Sequence, residues 1–282
     1  MNALEPLRDL LATRIFVLDG AIGTMLPYVI DKDALVLADP ERVRRVHDAY
    51  LDAGADIIKT NTFRAVDYET NVAGARLARA AADDWSRRTP DRPRFVAGVL
   101  GPMRAAPDQM REAYEAQVRG LMAGGVDLLL IETIVDTRAA LAAAAAAAGH
   151  AIPLMFSATV DRAGRLPAGE TLEAFVAAID GARPFSVGLN CAHGARDIEQ
   201  PLAELARLSN AYISCHPSAG LPDLSGAYGE GPDETAAILG GLAQRGLANI
   251  VGGCCGTTPD HIRALAEAVA GLAPRRQGRM TS

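Results

Sequence analysis

From Ile15 onward the chain alternates short, nearly unbroken apolar runs with longer amphipathic stretches. The apolar runs are IFVLDG (15–20), DIIKTN (56–61), RFVAGVLG (94–101), VDLLLIET (126–133), PLMFSATV (153–160), FSVGLNC (185–191), AYISCHP (211–217) and ANIVGGCC (248–255). Continuous rather than alternating hydrophobicity predicts parallel strands buried on both faces. Helical patterns such as PERVRRVHDAYLDAG and MREAYEAQVRGLMAGG fill the intervals. Gly54, Gly124, Gly125, Gly149 and Gly246 stand where a helix C-cap is expected before the next strand. Strand then helix, about eight times over, predicts a single-domain (β/α)₈ TIM barrel spanning 1–274, with a frayed tail at 275–282. A doubly wound open sheet fits less well. It needs a phosphate-binding turn after the first strand, and LDGAIGT offers Gly20 and Gly23 without the G-x-G-x-x-G spacing.

Composition narrows the field. Of 282 residues, 49% are hydrophobic and 22% charged, enough for a large core and incompatible with a disordered chain. Lys and Arg number 28 against 34 Asp and Glu, a net charge of −6 without a long basic run, so neither nucleic acid nor an anionic membrane is an expected partner. The uncharged stretch 139–158 is rich in alanine and interrupted by Gly149, His150 and Pro153. It is expected to be a helix end followed by a buried strand, not a membrane span. The N-terminus has no apolar signal region, and a cytoplasmic location is expected.

Barrel enzymes carry their reactive groups at the C-terminal ends of the strands. Here those ends present Asp19, Asn61, Glu132, Asn190, Cys191, His216, Cys254 and Cys255. Two of these cysteines end the eighth strand and one ends the sixth, so a closed barrel brings three sulfurs together. Spacing alone leaves two readings open: three thiolates with an open fourth position, the pattern of a catalytic zinc, or small core residues of a common buried type. Gly252, Gly253 and Gly256 favour the first, because a backbone carrying two adjacent ligands must turn sharply. Cys215 is expected in the core, pointing away from His216. Asn61 and Asn190 are expected to shape loops, and His193 is a weaker candidate beside Cys191.

The segments LDGAIGTML, TNTF at Thr60, NVAGARLAR, RFVAGVLGP, DLLLIET, GLNCAHG, HPSAGLP and VGGCCGTTPDHI cover almost the whole chain in order. In these the sequence resembles the homocysteine S-methyltransferase family, most closely the N-terminal homocysteine-binding module of cobalamin-dependent methionine synthase. The resemblance implies a (β/α)₈ barrel with Zn²⁺ on Cys191, Cys254 and Cys255. It also implies that Asp19 and Glu132 receive the ammonium of homocysteine and that backbone N–H groups around Ala21, Ile22 and Gly23 receive its carboxylate. A zinc-activated homocysteine thiolate would then attack a methyl group to give methionine, with His216 orienting the site. Three departures lie at the mouth: short loops after Phe63 and Pro102, and Ser218 where the family pattern has Asn. The open mouth they suggest favours methylcobalamin on a separate corrinoid protein as donor. The alternatives are a stand-alone enzyme using S-methylmethionine or S-adenosylmethionine, or a non-catalytic zinc- and thiol-binding subunit of a split complex.

Overall fold

The computed structural model describes residues 4–103 and 105–277. Helix α1 (Leu4–Leu11) precedes β1 (Phe16–Val17), and α2 (Leu35–Ala38) and α3 (Pro40–Asp52) lead to β2 (Ile57–Lys59). The alternation continues through α4 (Tyr68–Arg88), β3 (Phe95–Leu100), α5 (Pro107–Gly124), β4 (Leu128–Ile134), α6 (Thr137–Ala147) and β5 (Leu154–Ala158). It ends with α7 (Leu172–Ile179), β6 (Ser186–Cys191), α8 (Glu199–Leu208), β7 (Tyr212–Pro217), α9 (Pro232–Gln244), β8 (Ile250–Val251) and α10 (Pro259–Val269). Each of the eight apolar runs coincides with one strand, and only β4 reaches one residue past its run, to Ile134.

All strand pairs are parallel, in the order β1-β8-β7-β6-β5-β4-β3-β2. A bridge between Leu18 and Ile57 closes the ring. At the same seam Asp56 N–H donates to Val17 O at 2.7 Å, and Asp19 N–H donates to Ile57 O at 2.9 Å. The result is a single-domain (β/α)₈ barrel.

Strand periodicity sorts the buried residues into two layers. Phe16, Leu18, Ile57, Phe95, Leu128, Leu130, Met155, Tyr212 and Ile250 pack inside the barrel, with Leu7 and Leu11 of α1 closing its N-terminal end. Their strand neighbours Val17, Ile58, Val96, Leu129, Phe156, Ile213 and Val251 belong to the larger core between strands and helices. Near the middle the interior narrows, and only glycine fits at 188: a Cβ there would lie 2.3 Å from Ser214 O.

Helix boundaries follow local chemistry. Side-chain oxygens of Asp67, Asp136 and Thr171 accept the N–H groups of Thr70, Ala139 and Ala174, capping α4, α6 and α7. Gly54, Gly125 and Gly246 adopt the expected left-handed conformation. Gly149 does not, because α6 ends earlier, with Ala148 N–H turning back to Ala145 O. The stretch 139–158 divides into α6 and β5 as expected, and among the described residues no helix is long and apolar enough to cross a membrane. Residues 278–282 lie outside the described residues. Arg275, at the start of the expected tail, is tied down: its guanidinium donates to the carbonyls of Ala206, Ser209 and Ala211.

One buried group makes the fold sensitive to pH. His47 of α3 is fully buried with neither ring nitrogen bonded, and burial pushes its pKa down to about 4. In the unfolded chain the ring titrates near ~6.5, so protons favour the unfolded state as pH falls from there towards 4. Stability from this group is therefore intact above ~pH 6.5 and is lost below it. Urea titrations are expected to show the wild type losing about 2–3 kcal/mol more than His47→Leu between about pH 7 and pH 4.5; equal losses would contradict this.

Candidate functional site

The period of two that fills the barrel also equips its C-terminal mouth. Two residues beyond the inward-facing Ile57 and Leu130 come Lys59 and Glu132. Two beyond Gly188 and Ser214 come Asn190 and His216. All four are buried, together with Asp19 at the end of the β1 segment. They form the top layer of the barrel interior, where strand ends meet solvent.

Lys59 N–H donates to Asp19 Oδ2 at 2.9 Å, and the Lys59 ammonium lies 3.6 Å from Asp19 Oδ1. The same ammonium donates to Gly253 O at 3.3 Å. Glu132 Oε2 is 3.5 Å from His216 Nε2. Burial pushes the Asp19 carboxyl up to about 7, against the lowering effect of Lys59. Burial also works against charge on Glu132, but Lys59 and His216 outweigh it and hold this carboxylate below its usual range. For Lys59, Glu132 and Asp19 outweigh burial and keep the ammonium above its ordinary pKa. Burial lowers His216, against the raising effect of Glu132. Asp19 Oδ1, Glu132 Oε2 and both ring nitrogens of His216 lack a hydrogen-bond partner. Buried polar atoms left open in this way are costly, and several of them facing one mouth mark a place where a polar ligand completes the set.

The three cysteines meet beside this cluster. The sulfurs of Cys191, Cys254 and Cys255 lie within 4.8 Å of one another, and among the described residues these three form the group that could hold a metal ion. Cys254 N–H donates to Pro217 O at 2.8 Å, and Thr257 N–H closes a turn back to Cys254 O at 3.1 Å. Gly256 occupies the left-handed corner of that turn (φ +80°) with the Tyr228 ring packed where a side chain would stand. The turn lets two adjacent residues aim at one point. Cys191 reaches the same point from β6 through two consecutive non-glycine residues with positive φ, Cys191 at 60° and Ala192 at 54°. Strain of this kind persists where the surroundings enforce it, typically at functional sites.

Cys191 Sγ and Cys255 Sγ are 3.7 Å apart. A tetrahedral ion with metal–sulfur bonds of ~2.3 Å places its sulfurs about 3.8 Å apart, so the donor set fits a thiolate-bound metal. The thiols bias one another: hydrogen bonds from Cys254 and Cys255 draw Cys191 below the usual thiol range, while Cys254 and Cys255 are held above it. Ser218, the departure noted in the HPSAGLP segment, donates to Cys191 Sγ at 3.7 Å.

Cys215 lies in the outer core, with its thiol pushed up to about 12 by burial. His193 is half-buried and outside the cysteine group. Asn61 donates to Lys32 O at 2.8 Å, tying the β2 loop to the β1 loop. Asn190 accepts from Thr133 N–H and donates to Thr133 Oγ1, both at 2.9 Å, and so pins the irregular end of β4. Ala21 N–H, expected to face a carboxylate, instead donates to Thr257 Oγ1 at 3.1 Å. Ile22 is buried and Gly23 exposed on the same loop.

Sequence reasoning missed two residues. Lys59 sits in the second apolar run, and counting by twos from Ile57 would have placed its charge inside the barrel. Tyr228, packed on Gly256 beside the cysteine turn, lies in an irregular loop where no periodicity points to it. Loops after β1, β7 and β8 together frame an open cavity of about 590 Å³ lined by Thr24, Met25, Tyr28, Lys32, Tyr228 and Gly256.

A parallel eight-stranded barrel with a three-thiol cluster and a buried charged pocket at its C-terminal mouth defines a class of barrel proteins with a candidate metal site at the strand ends. Comparison places the chain within that class. The family model described as homocysteine S-methyltransferase matches residues 16–269, and the chain belongs to this family. The homocysteine methyltransferase MmuM from Escherichia coli, in its oxidized form, superposes with a TM-score of 0.82 at 25% identity, covering 93% of this chain and 99% of that one. Its apo form gives 0.80 at 27% identity with the same coverage. At 12% identity and a TM-score of 0.54, (S)-3-O-geranylgeranylglyceryl phosphate synthase from Thermoplasma acidophilum shares the fold alone, covering 95% of this chain and 98% of that one.

Proposed function

We propose that this protein is a zinc-dependent S-methyltransferase that converts homocysteine to methionine. The observation carrying this reading is the convergence of Cys191, Cys254 and Cys255 beside a pocket of unpartnered carboxylate oxygens. Three thiolates leave one position of a tetrahedral ion open. Zinc held there would keep the acceptor's sulfur deprotonated at neutral pH, where a free thiol with a pKa near ~8.5 is mostly protonated.

The chain's own residues do the rest. Glu132, ionised and oriented by His216, receives the acceptor's ammonium, with Asp19 as second partner. The N–H groups of Ile22 and Gly23 remain for its carboxylate, that of Ala21 being engaged by Thr257. Anchored at both ends, the acceptor presents its sulfur towards the cysteines and the open mouth. Asn190 donates to Cys254 Sγ at 3.8 Å and Ser218 to Cys191 Sγ, moderating the charge on the ligand sulfurs and fixing their direction.

The donor is methylcobalamin carried by a separate corrinoid protein. Tyr28, Ile30 and Leu224 on the mouth loops are fully exposed, and Leu221 and Val66 are more than half exposed, an apolar rim suited to a protein partner. A second reading has its own support: the cavity of about 590 Å³ has the size of a small-molecule site, and Tyr28 and Tyr228 offer ring faces to a sulfonium cation such as S-adenosylmethionine or S-methylmethionine. Methyl transfer to homocysteine by the zinc-loaded protein is measured with each donor in parallel. Turnover with methylcobalamin alone is the expected result. Turnover with a sulfonium donor alone would replace the first reading by the second, and silence with all donors in the presence of a corrinoid protein would contradict both.

A further inference from the structure

Lys59 has no assigned task in acceptor binding, yet it is the one buried cation in the acceptor pocket among the described residues. It is buried, ion-paired with Asp19 at 3.6 Å, and its ammonium is favoured most strongly by Glu132. Those two carboxylates are the groups proposed to receive the acceptor's ammonium. Asp19 Oδ1 and Glu132 Oε2 make no hydrogen bond and meet only longer contacts, the Lys59 ammonium at 3.6 Å and His216 Nε2 at 3.5 Å, so the cradle has room for a closer donor. An ammonium belonging to the protein already stands in that cradle, held there by Gly253 O.

We infer that Lys59 is a specificity-determining residue: it fills part of the ammonium subsite, so the protein accepts thiol carboxylic acids that lack an α-amino group as well as homocysteine. The inference rests on the acceptor reading above. With two carboxylates and no internal cation, a site discriminates strongly for an α-ammonium, because a ligand lacking one leaves two buried charges uncompensated. With Lys59 present one of those charges is already balanced, and the cost of omitting the ammonium falls. The transfer step itself is unchanged. The acceptor sulfur loses its proton to solvent and bonds to the methyl carbon, and the electron pair of the broken methyl–donor bond leaves with the donor.

Homocysteine and 4-mercaptobutanoate differ only by the α-amino group. Their dissociation constants for the zinc-loaded protein, measured by titration calorimetry, give a preference ratio for the wild type and for Lys59→Met. The ratio in favour of homocysteine is expected to rise at least tenfold in the variant, because the vacated position beside Asp19 takes the substrate's ammonium. A ratio that rises less than tenfold, or falls, overturns the inference. If Lys59→Met does not fold, Lys59→Gln is held to the same criterion. If neither variant folds, the wild-type ratio decides: below about tenfold supports the inference, and above it refutes it. Failure of the wild type to bind either thiol would remove the acceptor reading itself, an outcome distinct from two bound thiols with an unmoved ratio.

Discussion

Cys254→Ala, loaded with zinc and dialysed, is expected to retain less than about one-tenth of an equivalent of metal, against about one equivalent for the wild type. Cys254 supplies one of three sulfurs gathered within 4.8 Å, and its loss leaves two thiolates, too few to hold the ion against water. The barrel should survive. Cys254 belongs to a turn after β8, outside both layers of the apolar core, so the unfolding free energy from urea titration is expected to change by no more than about 1 kcal/mol. Cys255→Ala and Cys191→Ala should behave alike in metal content. Retention of stoichiometric zinc by any of the three would refute the ligand assignment.

The second large effect concerns the acceptor. Glu132→Gln is expected to weaken homocysteine binding about 100-fold with zinc content unchanged, the loss typical of removing one charge from a buried charged hydrogen bond. Glu132 carries the firmer negative charge of the pair, because Lys59 and His216 hold it ionised. Asp19→Asn has a different signature. With its carboxyl pushed up to about 7, Asp19 is protonated below that pH and charged above it. Wild-type affinity for homocysteine should therefore climb between about pH 6 and pH 8 more steeply than that of Asp19→Asn, since the ionisation of the thiol itself is common to both. Unchanged affinity in Glu132→Gln, or parallel pH profiles for Asp19→Asn and wild type, would place the ammonium elsewhere. Calorimetric titration across that pH range tests both.

Much of this site could be read from the chain because strand ends are legible. Eight apolar runs mark where the backbone crosses the barrel, so the residues closing each run (Asp19, Glu132, Cys191, His216, Cys254 and Cys255) fall at one mouth by topology alone. What escaped depends on features that a run of letters does not encode. β1 and β8 are shorter than their apolar runs, and beyond them single backbone bonds, Asp19 N–H to Ile57 O and Gly252 N–H to Cys215 O, carry the barrel on to its mouth. The left-handed backbone at Cys191 and Ala192 is imposed by their surroundings, since neither residue type prefers it. The diversion of Ala21 N–H to Thr257 needs the three-dimensional meeting of loops 236 residues apart in sequence. Lys59 is different, because its inward direction follows from period two. A single charge inside an otherwise apolar strand does not break the run, so the run by itself does not single it out.

The account stands on a homocysteine sulfur joining three protein sulfurs at one ion, and zinc X-ray absorption measures that arrangement directly. Spectra of the zinc-loaded protein are recorded with and without homocysteine. The expected result is a shell of three sulfurs at ~2.3 Å that becomes four when homocysteine is added. A sulfur count that does not change on adding a saturating amount of homocysteine, whether it stands at three or at any other value, would contradict the proposed reaction.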